Sequence, residues 1–265
     1  MNKAVFFDID GTLIDCMQNQ YEPSNEVKQA LEQLKDEGDY IFIATGRPYA
    51  FLTEEIKRLP FDGLILSNGS QVIFGEKVIY ENPMQENQLK QLIDKIEAWH
   101  IEYILEGYPY SYIKKESQDL YKFYDSIQIP MSYVKREEAP RNYPVFKIET
   151  LCPDKKVTMM IQTLLKENPY FDYFCSIDQS AVEIFAKNNT KATGIQRILE
   201  YLNISKNQSF AFGDGINDID MLRFVGTGIA MGNASENVKI HADFITDSVE
   251  NHGVASGILK HVIYR

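Results

Sequence analysis

Residues 4–13 read Ala4-Val5-Phe6-Phe7-Asp8-Ile9-Asp10-Gly11-Thr12-Leu13. Four apolar residues run without alternation and stop at a carboxylate. A run this short, apolar on both faces, predicts a buried parallel strand. Asp8 and Asp10 are two apart, so an extended chain points both side chains to the same side. Gly11 then permits a sharp turn. Two carboxylates this close do not both ionise cheaply, so either a cation is present or one acid holds a proton. The plainer alternative is a helix-capping Asp beside a turn Asp.

The same pattern recurs outward along the chain. Residues 40–44 end at Thr45-Gly46, residues 64–66 at Ser67-Asn68-Gly69, residues 210–212 at Gly213-Asp214, and residues 228–231 at Gly232-Asn233. Helical patterns lie between these runs. Residues 26–38 place Val27, Ala30, Leu31 and Leu34 on one face, with Gly38 as a C-terminal cap. Residues 191–202 repeat this with Ile195, Ile198, Leu199 and Leu202. Strand alternating with helix predicts an α/β fold with a Rossmann-like, doubly wound parallel sheet. Ligands of such sheets sit at the carboxyl ends of the strands, so the polar terminators are expected along one edge.

The middle of the chain reads differently. Linkers are expected at 81–83 and 188–190, with an inserted α+β domain at 84–186 and a core made of 1–83 and 187–265. Inside the insertion, Leu89, Leu92, Ile93 and Ile96 mark a helix. Strands are predicted at 101–105, 110–113, 145–149, 171–177 and 181–185, and helices at 117–124 and 154–166. Ten of the sixteen tyrosines fall here, among them Tyr108, Tyr110 and Tyr112 at alternate positions. These could line a substrate pocket, but strand packing within the insertion is the reading that β-propensity favours.

Composition narrows the function classes. The chain has 265 residues, 27 Lys+Arg against 38 Asp+Glu, and a net charge of −11. Nucleic-acid binding needs clustered positive charge, and this balance argues against it. An aromatic content of 12% argues against disorder. Cys16, Cys152 and Cys175 are far apart and form no CxxC pair, so neither a disulfide framework nor a thiolate zinc site is indicated. The N-terminal stretch reaches charge by Asp8 without a signal-like apolar region, and no apolar run approaches a membrane span. A cytoplasmic protein without a membrane or nucleic-acid partner is expected.

Three further segments complete the candidate chemistry. Thr45-Gly46-Arg47 offers a hydroxyl and a backbone N–H that can hold an oxyanion, or else a capping Thr in a turn. Lys191 starts a helix, where a cation opposes the dipole unless a local anion explains it; the alternative is a solvated surface lysine. Gly213-Asp214-Gly215-Ile216-Asn217-Asp218 sets two carboxylates four apart after a strand. Hard oxygen ligands of this kind suit Mg²⁺, although a Gly-rich turn with solvated acids has the same composition.

Taken together, these segments resemble the haloacid dehalogenase (HAD) superfamily, in particular its Cof-type subfamily IIB phosphatases with a large α+β cap. The resemblance runs through Asp8-x-Asp10-Gly11-Thr12-Leu13, Thr45-Gly46-Arg47, Ser67-Asn68-Gly69, Lys191, Gly213-Asp214-Gly215-x-Asn217-Asp218-x-x-Met221-Leu222 and Ala230-Met231-Gly232-Asn233-Ala234. Ala192 stands where the family more often has Gly and is expected to tighten the turn beside Lys191. The resemblance implies an Mg²⁺-dependent hydrolysis of small phosphomonoesters, such as sugar phosphates. Asp8 would be the nucleophile and Asp10 the acid and base, with the Asp10 pKa held above that of Asp8. Thr45, Gly46, Lys191 and Asn217 would hold phosphate. Asp8, Asp10 through its carbonyl, and Asp214 would hold the metal, with Asp218 in support. A phosphosugar mutase or a non-hydrolytic phospho-acceptor sensor is the alternative. The expected partner is a small phosphorylated metabolite, and the expected assembly a monomer or homodimer.

Overall fold

A computed structural model of the chain describes residues 2–126, 129–176 and 179–264. The chain forms two compact units. The first comprises Met1–Gly46, Glu54–Glu81 and Thr190–Arg265, and the second Arg47–Thr53 and Asn82–Asn189.

The first unit begins with β1 (Ala4–Phe7), buried at every position. Helix α1 (Asn25–Asp36) follows, capped by the Ser24 hydroxyl, which accepts from the Val27 N–H. Its buried residues are the four that the periodicity marks. Then come β2 (Tyr40–Ala44), the short α2 (Glu54–Lys57) and β3 (Gly63–Leu66). An antiparallel hairpin, β4 (Gln71–Phe74) and β5 (Lys77–Glu81), extends the sheet beyond β3. The sequence reading takes this stretch only as a lead-in to a linker.

The second unit is α+β. Helix α3 (Glu86–Ala98) leads to β6 (Glu102–Glu106), β7 (Ser111–Ile113), α4 (Gln118–Ser126) and β8 (Val134–Lys135). After these come β9 (Lys147–Leu151), α5 (Lys155–Leu165), β10 (Phe171–Cys175) and β11 (Ala181–Ala186). Ile177, the last residue of one expected strand, lies outside the described residues. Among the described residues the sheet order is β10-β11-β9-β6-β7-β8. One face buries Tyr103, Ile148, Val182 and Ile184 against Leu89, Leu92 and Ile96 of α3 and Ile161 and Leu165 of α5. On the other face, Ile104, Ile113 and Val134 pack with Leu120, Tyr124, Ala50 and Phe51. This face also holds Lys147, 2% exposed, with its ammonium 3.2 Å from Glu106 and 3.1 Å from Glu183. Tyr112 meets Tyr143 edge-on and Tyr110 meets Tyr133, so these tyrosines pack within the unit.

The chain returns to the first unit through α6 (Lys191–Leu202), β12 (Ser209–Gly213), α7 (Ile219–Phe224), β13 (Thr227–Ala230), α8 (Glu236–Lys239), β14 (Phe244–Ile245) and α9 (Gly253–Gly257). Among the described residues the sheet runs β14-β13-β12-β1-β2-β3-β4-β5. Every pair from β14 to β3 is parallel. Phe6 stacks on Phe42 on one face, and Phe7 on Phe212 on the other, each at 5.1 Å between centroids. The connections leaving β1 and β12 diverge, β1 toward β2 and β12 toward β13. In doubly wound sheets such a divergence marks the place, at the carboxyl ends of the strands, where ligands bind. No helix among the described residues is long and apolar enough to cross a membrane.

Candidate active site

Asp8 follows the last residue of β1, and its N–H donates to the Phe212 carbonyl at 3.0 Å, which ties the ends of β1 and β12 together. On the neighbouring strand Asp214 follows β12. Oxygens of Asp8, Asp214 and Asp218 all lie within 4.8 Å of one another; Asp8 and Asp218 are buried and Asp214 half-buried. Lys191, fully buried at the first position of α6, donates to Asp8 Oδ1 at 2.6 Å and to Asp218 Oδ1 at 2.5 Å. These two carboxylates are the anions that a lysine at a helix N-terminus requires.

Local chemistry fixes each group. Lys191 is aimed by a capping box, in which the Thr190 side chain accepts from the Thr193 N–H while Thr193 Oγ1 accepts from the Thr190 N–H. Ala192 lies in that first helical turn and continues the helix. Asp218 Oδ2 accepts the N–H groups of Asp214 and Gly215 at 2.9 and 2.8 Å. Both of its oxygens are thus taken by protein donors, and it serves as a brace for the loop. Gly11 has φ +78°, and a Cβ there would stand 2.2 Å from Asp214 Oδ2. Only glycine lets Asp214 approach. Thr12, a residue the motif contains but to which the sequence reading gives no role, donates from Oγ1 to Asp214 Oδ1 at 3.1 Å. Asn233 Nδ2 donates to the Gly11 carbonyl at 2.8 Å and pins the turn from behind.

Asp10 is exposed and stands outside the carboxylate group, although its charge raises the pKa of both Asp8 and Asp214. Thr45 is buried at the end of β2, with its N–H on the Ile65 carbonyl. Asn217 Nδ2 donates to Asn68 Oδ1 at 3.2 Å, and the Asn68 N–H donates to the Thr45 carbonyl. Asn68 is therefore a site residue to which the sequence reading assigns no role. Gly46 ends the first segment of the first unit, and Arg47 belongs to the second unit, where its Nη1 donates to the Phe51 carbonyl.

The electrostatics are lopsided. Burial first, then repulsion from Asp218, Asp214 and Asp10, holds the Asp8 carboxyl well above the usual carboxylate range despite Lys191. Burial and Asp218 push Asp214 up to about 7. Burial opposes the Lys191 ammonium, but Asp218 and Asp8 outweigh it and raise its pKa. Three carboxylates lie together with one ammonium bonded to two of them, so ionising all three leaves negative charge that the lysine does not offset, and all the donors are hard oxygens. A divalent cation fits that deficit.

A family model described as haloacid dehalogenase-like hydrolase matches residues 5–258. The Bacillus subtilis protein YkrA, provisionally named a phosphatase, is 29% identical over 97% of this chain and 96% of its own length. The 5-amino-6-(5-phospho-D-ribitylamino)uracil phosphatase YcsE of Bacillus subtilis is 27% identical, over 98% of this chain and 96% of that protein. The solved structure of BT4131, described as a HAD subclass IIB sugar phosphatase, superposes with a TM-score of 0.81 at 28% identity, covering 97% of this chain and 98% of that one.

Proposed function

The chain belongs to the haloacid dehalogenase-like hydrolases, and from that premise we propose that it is a Cof-type, Mg²⁺-dependent phosphatase of small phosphomonoesters. One observation carries the reading: oxygens of Asp8, Asp214 and Asp218 gather within 4.8 Å of one another at the carboxyl ends of β1 and β12, where a single ammonium, that of Lys191, bonds Asp8 and Asp218. Asp8, the Asp10 carbonyl and Asp214 would hold the cation. When bound, it supplies the positive charge that lets an anionic phosphate approach an ionised Asp8.

A carboxylate oxygen of Asp8 attacks phosphorus and the bond to the alcohol oxygen breaks. Asp10 gives that leaving oxygen its proton, so an aspartyl-phosphate and a free alcohol result. Asp10, now a carboxylate, takes a proton from water as the water oxygen attacks phosphorus. The acyl phosphate bond breaks, releasing inorganic phosphate and restoring Asp8. Thr45, the Gly46 N–H, Lys191 and Asn217 would hold the phosphoryl oxygens, since such transfer depends on positioning and charge neutralisation. Lys191, already shared between two carboxylates, keeps the nucleophile oriented. The named activities of BT4131 and YcsE, on a sugar phosphate and a phosphoribityl compound, support a phosphorylated sugar or polyol as substrate. Cys16, Cys152 and Cys175 are thiols rather than disulfides, which accords with a cytoplasmic setting.

The test is phosphate release from a panel of phosphorylated sugars, polyols and nucleotides, with and without Mg²⁺, with Asp8→Asn as control. Mg²⁺-dependent release that vanishes in the variant supports the assignment. A folded Asp8→Asn protein with normal turnover removes it.

A further inference from the structure

The turn at Ser67-Asn68-Gly69 carries a feature that the reaction above does not use. Asn68 is 2% exposed and is committed on two sides, through its N–H to the Thr45 carbonyl and through Oδ1 to Asn217 Nδ2. Its own Nδ2 is buried with no hydrogen-bond partner. Buried amide donors are rarely left this way, and where one is, an absent acceptor is the physical explanation to test. The surroundings say which acceptor. A Cβ built on Gly46 would stand 3.2 Å from Asn68 Oδ1, 3.5 Å from Asn68 Nδ2 and 3.6 Å from Asn217 Nδ2. Two side-chain amides therefore gather over the backbone of the Thr45-Gly46 strand end. The turn is held there against its own preference, with φ of +47°, +53° and +92° at three successive residues. Non-glycine residues occupy that region only where the surroundings impose it.

We propose that Asn68 is a phosphate-contacting residue, whose Nδ2 donates to a non-bridging oxygen of the phosphoryl group beside Thr45 and Gly46. The inference rests on the phosphatase reading. Asn217 would then have two roles, fixing the Asn68 amide and bounding the same oxyanion. A charge-assisted hydrogen bond of this kind corresponds to about 10- to 100-fold in phosphate affinity.

The experiment titrates inorganic phosphate, in the presence of Mg²⁺, into the wild-type chain, Asn68→Gly and Asn68→Asp by calorimetry. Glycine accepts the left-handed backbone and removes only the side chain. Aspartate keeps an acceptor for Asn217 but sets an anionic oxygen where the donor was. A phosphate donor gives the affinity order wild type, then Gly weaker by about tenfold or more, then Asp weakest. Asp equal to wild type with Gly alone impaired would mean that Asn68 merely holds Asn217, and the inference falls. Equal affinity in all three, the result expected if only a water meets the amide, also overturns it. If wild type neither binds phosphate nor releases it from any phosphomonoester, the phosphatase reading fails and takes the inference with it. Wild-type binding with unchanged variants removes the inference alone.

Discussion

At the scale of single residues, the site depends on close approach more than on the number of contacts. Gly11 shows this most directly: its φ is +78°, and an added methyl would overlap the Asp214 carboxylate. Gly11→Ala is therefore expected to displace Asp214, lowering stability by about 1–3 kcal/mol and weakening Mg²⁺ affinity more than it weakens phosphate affinity. Calorimetric titration of each ion separates the two effects. Lys191 gives a second residue-scale prediction. Lys191→Met removes the ammonium from between Asp8 and Asp218, two buried carboxylates that would then face each other unpaired. Breaking a buried pair this way costs about 3–5 kcal/mol. Chemical denaturation of the metal-free variant should show a loss of that size, and added Mg²⁺ should restore part of it. A neutral effect would mean that the lysine is not needed to balance these acids.

At the scale of elements, the site is assembled from strand ends and one helix start, and that is why much of it was legible. Asp8, Thr45 and Asp214 each follow an abrupt end of an apolar run, so position alone brings them to one edge. Lys191 was legible through a contradiction, a cation where the helix dipole is positive, and the two carboxylates resolve it. The β4–β5 hairpin was not legible. Every residue of Lys77–Glu81 is at least partly exposed, so no continuous apolar run marks this edge, and Gly75 was the only turn signal. Asn68 was visible as part of a motif, but an orphaned amide exists only once three loops meet. The capping box on α6 supplies the prediction at this scale. Thr190→Ala removes one half of it and should cost about 1 kcal/mol of stability. Because the next residue is Lys191, turnover should fall further than so small a destabilisation explains. Thermal melts compared with kcat on the same preparation would check this, and a loss of stability without a loss of rate would show that the cap does not aim the lysine.

Across the whole molecule, buried acids in both units push stability in one pH direction. Burial raises Glu106 to about 8 and Glu149 to about 7 in the second unit, as it raises Asp214 to about 7 and Asp8 well upward in the first. Each of these groups binds its proton more tightly folded than unfolded. Between the ordinary carboxylate range and about pH 8 the folded chain thus holds more protons, and stability falls as pH rises. Metal-free protein should melt progressively lower from about pH 5 to about pH 8. Mg²⁺ should flatten the part owed to Asp8 and Asp214, and Glu106→Gln the part owed to the Lys147 cluster. A melting temperature that climbs over the same interval would show that these acids are not protonated in the fold.

The allocation of Arg47–Thr53 to the second unit means that the chain passes between the two bodies four times rather than twice. Ala50 and Phe51 complete a hydrophobic cluster whose other buried members come from residues 104–134. The insertion is consequently not a cassette that can be lifted out at two cut points. A fragment of residues 82–189 leaves behind part of its own interior, and should fold only when the 47–53 peptide is joined to it, as dispersion of its NMR spectrum would reveal. Inheritance follows the same geometry: exchanging this body between relatives requires two segments to travel together, the shorter starting at the residue after Gly46.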